Sequence, residues 1–376
     1  MKKYIHLLLF ICLYNYYSIA QTTKCNDSII MSIKGTWSNY PRLPMQKPVN
    51  KEEFDRATKN MEAYHQFLLE AYQQGIGSEP QVVMVNPRPA FYTAWVYSYS
   101  YRTAIFPYIC VKDKPVKVPA THTTFNIVSN EYEKFWRSTQ FFINGQEVFY
   151  RQPRVGKWNG YDAYSTEEYP IVMLTRKDML PYKPVTRKQY LDYMIHRIDS
   201  TYTKTANEMK KMPVRSLEEQ EKEKNAKLEK FKKDFGNDPK KLKANVDYYL
   251  SGYQTDQQRR DEQVKEYTNK KNHILKVYRD ELEKSGAQNL LDAPAIVKDI
   301  VNTSFHENTD IFITEEKGGT VLLFINTVYL KKDLPKYVPQ FMIVRLEGGG
   351  TVSERYFVKM MKEKFPFEKL QAMIDK

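Results

Sequence analysis

Five histidines lie beyond the first twenty residues: His65, His122, His196, His273 and His306. No two stand at His-x-x-x-His spacing and no Cys-x-x-Cys accompanies them, so the sequence presents no metal-ligand set, and no cofactor is expected. No Gly-x-Ser-x-Gly elbow, phosphate-binding loop or dinucleotide fingerprint occurs. Gly318-Gly319 and Gly348-Gly349-Gly350 lack the Lys-Ser/Thr of a phosphate loop and read as turns. Asp162, Glu167 and Glu168 share a loop with Tyr161, Tyr164 and Tyr169. Two carboxylates at the right separation would make a glycosidase-type pair; exposed loop acids are the simpler reading. Cys12 lies in the N-terminal apolar run, which leaves Cys25 and Cys110. They are either a disulfide in an oxidising compartment or two unpaired thiols, with Cys110 packed as a small hydrophobe. Nothing beside them would lower a thiol pKa, so nucleophilic catalysis is not expected.

The strongest binding pattern is aromatic. Between Phe91 and Arg102 the two-residue strand period puts Trp95, Tyr97, Tyr99 and Tyr101 on one side, with Thr93. Exposed, that side is a flat platform for stacking sugar rings. Buried, it is the core of the sheet, and large aromatics usually supply core area.

The elements that must carry these residues form three regimes. Residues 21–185 open with a helix capped by Asn50 and stopped at Gly75-Ile76-Gly77. Short β-branched and aromatic runs follow: 82–85, 91–102, 105–111, 125–128, 135–143, 147–150 and 171–175. Asn144-Gly145 marks a hairpin turn and Trp158-Asn159-Gly160-Tyr161 a second turn. Residues 186–290 are helical and heavily charged, with a capping box at Ser216–Glu219 and breaks at Gly236–Pro239 and Ser251-Gly252. Val264, Tyr267, Ile274, Tyr278 and Leu282 make only a thin stripe. The expectation is an antiparallel helical hairpin or coiled-coil arm from about Ser216 to Lys284, its tip near Phe235–Asn237 or Ser251–Tyr253. Residues 291–376 read as a small α+β region, with strands at 311–315, 321–326 and 340–346 and a helix capped by Ser353. The fold class is therefore α+β. One echo crosses the chain: Leu180-Pro181-Tyr182-Lys183-Pro184 and Leu334-Pro335-Lys336-Tyr337-Val338-Pro339 each follow an apolar strand and read as rigid elbows.

Lys2 and Lys3, an apolar run from Ile5 to Leu13 and small residues at Ser18 and Ala20 read as a cleavable signal peptide over residues 1–20, with processing expected before Gln21; a retained N-terminal anchor is the rival reading. That run is short of the ~20 residues a spanning helix needs, and no later transmembrane segment is expected. Thr22-Thr23-Lys24 before Cys25 does not fit a lipobox. Losing Lys2 and Lys3 takes the net charge from +13 to +11. Without a recognisable binding motif, nucleic acid is a poor partner for such a chain. An acidic envelope polymer fits better, and a lysine-rich surface that aids solubility is the plainer reading.

Four segments carry a resemblance: Leu174-Thr175-Arg176, Leu180–Leu191, Ala293-Pro294-Ala295-Ile296-Val297 and Leu334–Phe341. They resemble a family of uncharacterised exported proteins of Bacteroidetes-type bacteria. That resemblance implies compartment and architecture and brings no catalytic residue with it. The expected function is a non-catalytic binding or scaffolding protein of the cell envelope. It would sit in the periplasm by default, with the cell exterior as the alternative, and meet an envelope glycan or protein through its helical arm. The competing expectation is a secreted hydrolase acting on an envelope glycan or peptide.

Overall fold

The computed structural model describes residues 24–40, 49–132, 135–164, 169–300 and 310–376. The expected signal peptide, Glu167, Glu168 and His306 lie outside them. The class is α+β. In chain order come α1 (Asp27–Ser32), β1 (Lys34–Gly35), β2 (Ser38–Asn39), α2 (Lys51–Ala71), β3 (Gly75–Ile76), β4 (Ser78–Ala90), β5 (Thr93–Val111), β6 (Lys114–Lys117) and β7 (Thr124–Ser129). Then follow β8 (Trp136–Ile143), β9 (Gln146–Arg151), β10 (Arg154–Trp158), β11 (Tyr161–Tyr164), β12 (Ile171–Leu174) and β13 (Tyr182–Pro184). The helices α3 (Arg187–Lys211), α4 (Leu217–Phe235), α5 (Pro239–Gly252) and α6 (Asp256–Ala287) precede β14 (Ile296–Val297), β15 (Thr320–Ile325), β16 (Met342–Glu347), α7 (Val352–Lys364) and α8 (Phe367–Gln371).

These elements divide into two units that interleave along the chain. One takes Met1–Arg137, Arg151–Lys183 and Ile325–Lys376; the other takes Ser138–Tyr150 and Pro184–Phe324. The expected consecutive regions 21–185, 186–290 and 291–376 cut across this division. The reason is strand pairing: β16, from the C-terminal stretch, lies between β12 and β7 and hydrogen-bonds to both. A ladder of that kind joins residues about two hundred positions apart, and no local pattern announces it.

In the first unit a nine-stranded sheet runs β10-β11-β12-β16-β7-β5-β4-β2, with β6 added to β5; the β2/β4 pair is parallel. Its core joins Met61, Tyr64 and Leu68 of α2 to Phe125, Ile127, Val344 and Leu346 of the sheet and to Phe357 and Met361 of α7. Asn50 caps α2 as expected, accepting from Glu53 N at 2.8 Å. Asn159 and Gly160 both turn through positive φ between β10 and β11, which matches the expected turn. The expected strands 91–102 and 105–111 are one strand of 19 residues, β5, because β4 and β7 pair along it without a break at Thr103-Ala104. α7 is capped by Thr351 rather than Ser353: Thr351 N donates to Glu354 Oε2 at 2.8 Å, closing a capping box. Glycine is needed just before it. Gly348 has φ +98°, and a Cβ there would stand 2.1 Å from Thr123 Oγ1.

The two Leu-Pro elbows have a shared use. Leu180 O accepts from Asn326 Nδ2 at 3.0 Å, and Pro181 O accepts from Tyr132 Oη at 3.2 Å. Tyr337 O accepts from Tyr99 Oη at 2.7 Å, and Val338 O from Asn130 Nδ2 at 3.0 Å. Prolines supply no N–H, so each elbow is fastened through its carbonyls.

In the second unit β8, β9 and β15 form the sheet against which α3 and α6 pack. The two helices are antiparallel: Tyr202 meets Tyr267 with ring centroids 5.0 Å apart, and Lys271 Nζ reaches Asp199 at 3.0 Å. Tyr190, Leu191, Met194 and Ile198 of α3 and Ile274, Leu275 and Tyr278 of α6 are buried in this core. The expectation that the whole stretch to Lys284 stands apart is therefore corrected: from Ile274 onward α6 belongs to the core. The expected strand 311–315 is also absent. Phe312 makes a single bridge to Val297, and a 3-10 turn over Glu315–Lys317 follows.

Candidate functional site

The aromatic strand face is core. Tyr97, Tyr99 and Tyr101 are buried in the first unit, and α2 supplies partners for their hydroxyls. Tyr97 Oη donates to Glu53 Oε2 at 2.8 Å, Asn60 Nδ2 donates to Tyr99 Oη at 2.8 Å, and His65 Nδ1 lies 2.7 Å from Tyr101 Oη. Burial pushes the Tyr97 phenol up to about 12, with Glu53 adding to the effect. Burial likewise takes Tyr99 to about 12. These phenols are committed to internal bonds, which a sugar-stacking platform would need free. Of the four expected ligand-binding residues only Trp95 reaches the surface, 42% exposed, with Lys332 Nζ 3.7 Å from its ring centroid. Sequence period places residues on a side; it does not say that a helix will cover that side.

Cys25 and Cys110 are joined by a disulfide, with Cα atoms 5.6 Å apart. The chemistry-bearing residues elsewhere are dispersed. His65 meets Tyr101 and the edge of Trp37, and burial lowers its pKa; His122, His196 and His273 are exposed. Among the described residues no group of three or more His, Cys, Asp or Glu side chains could hold a metal ion. Asp162 pairs with Arg154 at 2.7 Å.

A hollow of about 670 Å³ in the first unit brings Glu368 and Asp375 to one place, beside Tyr161, Arg176 and Gln371. Asp375 is not free for acid–base work. Arg176 Nε and Nη2 hold its two oxygens at 2.7 and 2.9 Å, and Lys331 Nζ adds a third contact at 2.5 Å. Burial alone would raise the carboxyl pKa, but these cations outweigh it and hold it below the usual range. Arg176 also stacks on Tyr329, 4.1 Å from the ring centroid. The cluster is a clamp on the chain, with the Asp375 carboxylate already paired.

The candidate interaction site is the far end of the α3/α6 pair in the second unit, where α4 and α5 form a helical hairpin. Ser216 starts α4 with the expected capping box, and Asp238 with Pro239 starts α5. Gln220 is the only buried residue of α4 and works as a staple. Its Nε2 donates to Arg215 O at 2.7 Å, and its Oε1 accepts from Asp256 N at 2.7 Å. Arg215 then grips Asp256 through Nε and Nη2 at 2.8 and 3.0 Å. Its hydrogen bonds hold Asp256 well below the ordinary carboxylate range. Phe231, Tyr249 and Tyr253 form a chain of ring contacts, each about 5.8 Å between centroids. Beside this lies a hollow of about 530 Å³ lined by Arg215, Glu223, Tyr248, Tyr249, Tyr253 and Arg259.

What this end leaves uncovered is informative. No residue of α5 is buried, and Tyr248 is 84% exposed. Leu250, Met212, Val214 and Leu217 are also exposed. The chain from Lys227 to Lys243 carries seven lysines and three acids. Sequence reasoning found the capping box and the helix breaks here but not the Arg215–Gln220–Asp256 staple. Gln220 looks like one more polar residue in a charged helix until Asp256, 36 positions on, arrives beside it. No family model, curated protein or solved structure matches the chain.

Proposed function

We propose that this is a non-catalytic, exported binding or scaffolding protein of the cell envelope, akin to the exported Bacteroidetes-type proteins its motifs resemble. In this reading it holds a protein partner with an acidic surface through the α4–α5 end. The carrying observation is α5: fourteen helical residues, none buried, with Tyr248 84% exposed and Leu250 exposed on the other flank, on a hairpin that the Arg215–Asp256 grip holds in one pose. An amphipathic helix with nothing on its outer apolar residues is a surface that a partner would complete, and prior ordering keeps the entropy cost of docking low. The lysines around the turn at Gly236 favour an acidic partner. The disulfide fits an oxidising compartment, and among the described residues no helix is long and apolar enough to cross a membrane.

The test is affinity capture from envelope extract with the chain from Gln21 onward, run beside Y248S/L250S. Melting of the variant should match the parent, since both side chains are exposed. An identified acidic protein retained by the parent and lost by the variant supports the reading. Identical captured species from both would refute it.

A further inference from the structure

The turn between β4 and β5 in the first unit presents apolar surface that its own fold leaves open. Phe91 is 91% exposed, more than any other large apolar side chain among the described residues. Four residues on, Trp95 is partly exposed beneath Lys332. The turn is held rather than loose. Tyr92 Oη donates to Asn130 O at 2.6 Å, and its ring lies 4.3 Å from that of Tyr132. Tyr97 N donates to Lys336 O at 2.8 Å, which fixes the lysine-bearing elbow against the start of β5.

Cations flank the turn. Lys332 and Lys336 are exposed and lie over Trp95 and Tyr97, the latter with Nζ 5.6 Å from the ring centroid. Arg88, opposite Ser98 in the ladder, is 61% exposed and reaches Glu131 only at 3.8 Å. Of the described acids near this group, Asp333 is exposed, Glu131 is buried, and Glu53 accepts from Tyr97 Oη.

We propose that the β4–β5 turn is a contact site for an anionic lipid surface, with Phe91 entering the headgroup–acyl boundary, Trp95 at the interface, and Lys332, Lys336 and Arg88 on the phosphates. A two-residue turn is convex, with one ring at its apex. A protein interface needs roughly 800 Å² of complementary surface from each side, whereas a lipid interface closes around a single projecting side chain without matching its shape. Tryptophan and lysine together suit that depth, the indole lying among headgroups and the ammonium reaching to water and phosphate. The contact is local and reversible, because one phenyl ring and three cations make a weak anchor that weakens further with salt. It is independent of the α4–α5 end.

Sedimentation with vesicles of phosphatidylglycerol and phosphatidylethanolamine tests this, using the chain from Gln21 onward so that the apolar run before Ala20 does not itself bind lipid. The protein should sediment with these vesicles and be released as salt rises, and should sediment far less with pure phosphatidylcholine. F91S should weaken partitioning by about tenfold or more with an unchanged melt, since only solvent surrounds that ring in the free protein. K332E/K336E should remove the preference for anionic lipid. Trp95 fluorescence should shift to the blue on binding, a change lost in W95F. K232E/K233E, in α4, should bind as the parent does. The proposal fails if the parent ignores anionic vesicles, if F91S binds as well as the parent, or if phosphatidylcholine serves equally. Loss of binding in K232E/K233E alone would assign the contact to the helical end. A self-association of the parent abolished by F91S in sedimentation velocity would assign the turn to a second copy of this chain.

Discussion

Replacing both bridged cysteines, as C25S/C110S, should destabilise the first unit by about 4.5 kcal/mol. The bridge closes a loop of 85 residues, and loop-closure entropy for that length gives about this figure at room temperature. The native state should change little, because the segment that Cys25 anchors has other holds. Ile30 is buried, Gly77 N donates to Ile33 O at 2.8 Å, and Trp37 Nε1 donates to Gln73 O at 3.0 Å. The loss therefore acts through the freed unfolded chain. Tryptophan fluorescence reads the unit alone, since Trp37, Trp95, Trp136 and Trp158 all belong to it. With a urea slope of about 2.5 kcal/mol per molar, the fluorescence midpoint should fall by about 2 M. Far-UV circular dichroism, dominated by α3 to α6 of the second unit, should keep its transition. A fluorescence midpoint displaced by less than about 0.4 M, or both transitions moving together, would refute the reasoning.

Three further outcomes concern the clamp and the helical end. Asp375 is held below its ordinary value of 3.8, so its contribution is complete above that pH and is lost as pH falls through the lowered value. D375N should cost about 2 kcal/mol at neutral pH and flatten the acid limb of a stability–pH curve; an unchanged acid limb would sink the assignment. Replacing residues 213–254 by a short Gly/Ser linker should leave a cooperative melt and reduced far-UV helicity, because Arg260 Nη1 already reaches Met212 O at 2.5 Å, so the cut ends are neighbours. A longer excision to Lys284 should unfold the second unit, since it removes Ile274, Leu275 and Tyr278 from the core.

Local signals translated directly into local structure. Asn50, Ser216 and the Asn-Gly pairs each act within a few residues through their own backbone neighbours, so their reading needs no tertiary information. The end of α7 shows the limit of that method: Thr351 and Ser353 are both competent caps two residues apart. The structure selects Thr351, whose partner Glu354 is oriented in part by a bond from Thr121, 233 positions away.

The sequence by itself determined the α+β class, the helix starts and turns, and the two-sided character of β5. Each of these follows from propensity, capping chemistry or side-chain period, all of which act over a few residues. The tertiary structure decided which sides are buried and which are presented. α2 converts Tyr97, Tyr99 and Tyr101 from a platform into core while leaving Trp95 outside. β16 threads the C-terminal stretch into the N-terminal sheet, and Asp256 turns Gln220 from a surface residue into a staple. Burial depends on what arrives from elsewhere in the chain, and that arrival is set by the summed free energy of the whole fold rather than by any window of sequence.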